Sequence, residues 1–129
     1  MSIWPKQSVA ALEAGYDSLP GSEQDKLRLK AVILRFRIEA VVLSITIGVF
    51  TDNTWPNHVR HKLLVSVGAP GLSPDQRTDR LRIVRRGAST YESLCRLLHG
   101  DVSGLHPPLG DLAVWTRAVD ELEAEFARP

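Results

Sequence analysis

A single cysteine, Cys95, stands in 129 residues, so no internal disulfide framework holds this chain together. No Cys/His spacing for zinc occurs, and a reducing compartment fits both facts. There is no glycine-rich phosphate loop, no paired-carboxylate motif and no serine in a nucleophile-elbow setting. Neither a metal nor a cofactor is therefore expected. Charge of one sign is also missing: sixteen Lys and Arg against fifteen Asp and Glu leave a formal net charge of +1. A dedicated nucleic-acid domain usually carries a larger positive excess. The stretch Met1 to Pro5 has no basic region followed by an apolar segment, so no secretory signal is read and a cytoplasmic location is expected.

What is present is one dominant apolar run, Leu27 to Phe50, which no proline interrupts. At 100° per residue its polar positions fall into two stripes, Arg28, Arg35, Glu39 and Thr46 on one side and Lys30, Arg37, Ser44 and Gly48 nearly opposite. Both flanks between them are apolar, as in a helix sandwiched between neighbours. A strand is the competing reading, because Leu34, Phe36 and Ile38 alternate with Arg35, Arg37 and Glu39. That reading needs a turn near Ala40 to Val42, and none is written there. The run does not suit a bilayer. Its five charges each cost about 2.5–3.5 kcal/mol near the centre, and the uncharged remainder from Val41 to Phe50 is too short to span.

The punctuation elsewhere is helical. Ser8 caps a first helix with Val9, Leu12, Tyr16 and Leu19 on one face, ended by Pro20 and Gly21, and Ser22 opens the central helix. Trp55 to Val67 predicts a helix with Pro56 in its first turn and Gly68 past its end. Ser73 and Gln76 form a capping box with Pro74 at the first helical position, launching a polar helix that stops at Gly87. Ser89 and Glu92 repeat the device, opening a helix with Tyr91, Leu94, Cys95 and Leu98 that Gly100 closes. In that rhythm Cys95 reads as a buried, inert thiol. The last helix runs from about Asp111 to Phe126, with Leu112, Trp115, Ala118, Val119, Leu122 and Phe126 on one face. The expectation is an all-α, single-domain bundle over residues 1–129, with about six helices around a long buried central one.

Charge is polarised along the chain. From Asn57 to Arg86 there are seven basic residues against two acidic, and from Gly100 to Pro129 six acidic against two basic. Arg77, Arg80, Arg85 and Arg86 are the nucleic-acid candidates in the basic segment. The alternative is that this segment faces the acidic last helix of its own or a neighbouring chain. Of the four histidines, His58 and His61 lie three apart without an accompanying carboxylate or cysteine, which reads as a solvated basic face. His106 precedes Pro107 and Pro108 in a helix-entry loop. His99 ends the Ser89 helix, where the helix C-terminus favours its cationic form, as for a capping histidine.

The segment Tyr91-Glu92-Ser93-Leu94-Cys95-Arg96-Leu97-Leu98-His99-Gly100, its following loop and the last helix with Trp115, Val119 and Leu122 resemble the HEPN family of small all-helical proteins. Members include metal-independent RNases of toxin and phage-defence systems. The resemblance covers about the final third of the chain. It implies His99 as acid/base or phosphate ligand, with an arginine acting beside it on the scissile phosphate and 2′-hydroxyl. In the family's nucleases four to six residues separate that arginine from the histidine; here those positions hold Leu94, Ser93 and Glu92. The nearest arginine is Arg96, three before His99, and Arg85 or Arg86 would have to reach in from the preceding helix to help.

Three functional expectations follow. The first is a non-enzymatic helical interaction module that self-associates or serves as an accessory subunit, as a homo-oligomer or with a protein partner, away from membranes. Trp4, Trp55 and Trp115 are its candidate anchors, although core packing is the first job read for Trp55 and Trp115. The second is a HEPN-like RNase or an inactive relative, acting on RNA through His99 and Arg96. The third is a helix-turn-helix DNA binder over Trp55 to Arg86, with the Ser73 helix as recognition element. Its connection, Gly68 to Leu72, is longer than the usual turn.

Overall fold

The computed structural model of the chain describes residues 23–49, 59–99 and 109–127. Among them are four α-helices and no strand: α1 (Glu23–Val49), α2 (Val59–Val65), α3 (Pro74–His99) and α4 (Leu109–Phe126). The chain is all-α. No helix among the described residues is long and apolar enough to cross a membrane. The first helix expected at Ser8, the start of the Trp55 helix with His58, and the His106 loop lie outside the described residues.

The run from Leu27 is one uninterrupted helix, which disposes of the strand reading. Both of its apolar flanks are covered: Ile33 on one and Ala31, Leu34, Ile38 and Val42 on the other are fully buried. α1 packs against α4, α3 and α2, and α3 also packs against α4 and α2. Val59 and Leu63 of α2, Ile83, Val84, Ala88 and Leu94 of α3, and Val119 and Leu122 of α4 complete the common core.

The described part of α2 passes into a 3₁₀ turn, Ser66–Gly68, so Gly68 closes that turn instead of lying just past the α-helix. The loop to α3 turns at Gly71, whose φ of 90° is the left-handed backbone that glycine adopts without strain. α3 then starts on the expected capping box. The Gln76 amide donates to Ser73 Oγ at 3.1 Å, and the Ser73 amide donates to Gln76 Oε1 at 2.8 Å.

α3 corrects the reading in one respect: it does not stop at Gly87. The two helices expected from Ser73 and Ser89 are a single helix of 26 residues. A glycine ends a helix only where the chain turns left-handed after it. Gly87 instead stays helical and buried, because it lies where α4 crosses: a Cβ there would meet the two Leu122 δ-carbons at 3.2 and 3.3 Å. The missing side chain is the contact. Ser89 is an exposed residue inside the helix, and Glu92 reaches Arg60 of α2 at 2.9 Å instead of a helix cap. α4 begins at Leu109, slightly before the expected start, and buries Ala118, Val119 and Leu122, with Leu112, Trp115 and Phe126 packed partly against the core. Cys95 is half-buried, more open than its apolar rhythm implied, and its thiol is free.

Candidate functional site

The arginines read as nucleic-acid candidates have definite destinations. Arg77 Nη1 donates to the Val67 carbonyl at 2.5 Å and Nη2 to the Leu72 carbonyl at 3.3 Å. Arg80 Nη1 donates to the Ser66 carbonyl at 3.3 Å, its Nε lies 3.9 Å from the buried Glu125, and its guanidinium lies 4.7 Å from the Phe126 ring centroid. The end of α2 leaves carbonyls without intrahelical partners and carries the negative end of the helix dipole, so two cations from α3 gather there. A recognition helix would aim these side chains outward into a groove. Here they secure the α2–α3 connection.

Further along α3, Arg82 donates to Asp79 at 3.3 Å and to Glu121 at 3.2 Å, and Arg86 donates to the other Glu121 oxygen at 3.2 Å. From the far side, Arg37 of α1 grips α4 with a fork: Nε to Glu123 at 3.0 Å, Nη2 to Glu123 at 2.5 Å and Nη2 to Asp120 at 2.6 Å. The basic segment thus meets the acidic last helix of its own chain. Arg85 alone of the four candidates is exposed with no ion-pair partner among the described residues.

His99 and Arg96 are both exposed in the last turn of α3, three residues apart on one side of the helix. Because α3 is continuous, Arg85 lies fourteen residues before His99, about 21 Å along the axis at 1.5 Å per residue, and Arg86 lies about 20 Å away. Neither reaches the groups His99 would contact, and Arg86 is already paired with Glu121. The two arginines that were to complete the histidine site are not brought to it.

Sequence reading missed a polar cluster between α1 and α3. Glu39 is 1% exposed. Its Oε2 accepts a long hydrogen bond of 3.4 Å from Tyr91 Oη, and Arg35 Nε approaches its Oε1 at 3.5 Å without making a hydrogen bond. The Arg35 guanidinium also lies 6.0 Å from the Tyr91 ring centroid. Burial raises the Glu39 carboxyl above its ordinary value, against the opposing pull of Arg35 and the Tyr91 hydroxyl. Tyr91 is pushed up by burial first and then by the facing Glu39, so its hydroxyl remains a donor. A signal for this cluster existed. Arg35 and Glu39 form a polar stripe on a helix apolar on two sides, and such a stripe must meet a neighbouring helix wherever the sandwich closes over it.

Against this geometry, comparison with models of protein families, with curated proteins and with solved structures finds nothing that matches the chain.

Proposed function

We propose that this chain is a non-enzymatic helical interaction module, a single bundle over residues 1–129 that self-associates or serves as an accessory subunit of a larger assembly. One observation carries the reading: Arg80, Arg82 and Arg86 of α3 and Arg37 of α1 are committed to the acids of α4. Cations held in this way brace α3 and α1 against α4, with carboxylates already taking the place that phosphate would need. Because the acids of α4 are engaged within their own chain, the reading places self-association on apolar surface. Among the described residues the large exposed hydrophobics are Val114 on α4, 54% exposed, and Val65 at the end of α2, 37% exposed. Val114 and the exposed Arg117 lie one turn apart on the same side of α4.

Light scattering at micromolar concentration tests the self-association arm. The expected mass is a multiple of 14.3 kDa that persists in high salt, with Val114→Asp shifting it toward the monomer while the helical signal is unchanged. A monomer mass at every concentration and salt removes that arm and leaves only the accessory role.

The HEPN-like RNase, or an inactive relative, is the second reading. It is favoured by the exposure of His99 and Arg96 side by side at the end of α3. RNA cleavage without metal, abolished by His99→Ala in a protein of unchanged fold, would establish it. If the substitution only weakens the helix end, by about 0.3–1 kcal/mol, His99 is a capping residue.

A further inference from the structure

The cluster around Glu39 is costly as a structural device. A buried carboxylate with one oxygen making no hydrogen bond forfeits solvation that its neighbours only partly replace, and an apolar residue of similar size would pack there more cheaply. Its two states are also unequally served. Among the described residues the groups that act on it are Arg35 from α1 itself and Tyr91 from α3, with Cys95 one turn further along α3 acting on Arg35 and Tyr91. Neither α2 nor α4 supplies a group that shifts its titration. A neutral carboxyl needs an acceptor for its own proton, which the Tyr91 oxygen beside Oε2 can supply. A charged one needs donors on both oxygens, yet Arg35 Nε and Glu39 Oε1, 3.5 Å apart, make an ion pair without a hydrogen bond. Arg35 is partly exposed, so meeting that need means drawing its guanidinium inward or admitting water along it.

We propose that Glu39, Tyr91 and Arg35 form a proton-operated latch between α1 and α3, closed when the Glu39 carboxyl is neutral and loosened when it is charged. The direction of the titration agrees. Burial holds the folded carboxyl above its ordinary value of 4.5, so the folded state binds the proton more tightly than the unfolded chain. The latch then contributes its full stability below about pH 4.5 and loses it as pH rises through the folded value.

Carboxyl-carbon NMR of Glu39 combined with amide exchange along α1 and α3, from about pH 4 to 8 and corrected for intrinsic base catalysis, tests this. In the unmodified chain, protection around residues 35–39 and 91–95 should fall in step with Glu39 titration, about tenfold for each unit by which it titrates above 4.5. Glu39→Gln, which holds the neutral state, should remain protected throughout. Tyr91→Phe keeps the ring but removes a donor that favours the charged form, so the step should move to higher pH. A Glu39 that titrates at its ordinary value, or a Glu39→Gln profile with the same pH-dependent loss, overturns the proposal. Should Glu39→Gln fail to fold, a Tyr91→Phe step at unchanged pH overturns it equally.

Discussion

Gly87→Ala should destabilise this protein, against the general trend for a glycine inside a helix. In an exposed helix the substitution gains about 1 kcal/mol, because alanine loses less backbone entropy on folding. Here the new Cβ would sit 3.2 and 3.3 Å from the Leu122 δ-carbons, inside the roughly 3.5–4.0 Å at which carbon pairs attract. Leu122 is fully buried, so it yields only by moving other core side chains. Overpacking of this kind costs about 1–3 kcal/mol, which leaves a net loss near 1 kcal/mol, or a fall of roughly 3–6 °C in Tm for a chain of this size. Leu122→Val removes the δ-carbons for about 1 kcal/mol of its own. In that background Gly87→Ala should become stabilising by about 1 kcal/mol, a coupling of about 2 kcal/mol across the cycle. Urea unfolding followed by circular dichroism, read as midpoints at constant m, measures all four proteins. Equal stabilisation by Gly87→Ala in both backgrounds would refute close approach of α3 and α4 at this point.

Arg37→Met keeps the stem of the side chain and removes the fork to α4. Asp120 and Glu123 are 59% and 39% exposed at their side chains, so solvent screening limits the loss to about 1–2 kcal/mol, and the loss should shrink in 1 M salt. A midpoint change independent of salt would mean that Arg37 acts by packing alone. Ile38→Asp places a carboxylate at a fully buried position of α1 and costs several kcal/mol against a total stability of about 5–15. The expected result is loss of the helical dichroism signal near neutral pH, and a cooperative native-like melt would contradict the burial of α1.

The all-helical class, the continuity of α1, the capping box at Ser73 and the extent of α4 were all legible in the sequence. Each depends on signals a few residues apart: apolar positions recurring at 3.6, a side chain within reach of the next turn's amide, and the absence of proline. Gly87 shows where such signals stop. A glycine followed by Ser89 and Glu92 is locally the end of one helix and the start of another, and only Leu122, 35 positions later, makes a bare backbone the better fit inside a continuous helix. The arginines of α3 show the same division. Composition establishes that basic and acidic segments coexist and can pair, but only the crossing of α3 with α4 and α2 sends Arg82 and Arg86 to Glu121, and Arg77 and Arg80 to the carbonyls closing α2. Glu39 is the extreme case. On the helix surface it is one half of an i,i+4 pair worth a few tenths of a kcal/mol, and the packing of α3 over it turns the same carboxylate into the most buried charge described in the fold. Local pattern chooses the elements because helix formation is decided within a few turns of chain. Partners, and with them the electrostatic role of each side chain, come from contacts tens of residues apart that no local pattern encodes.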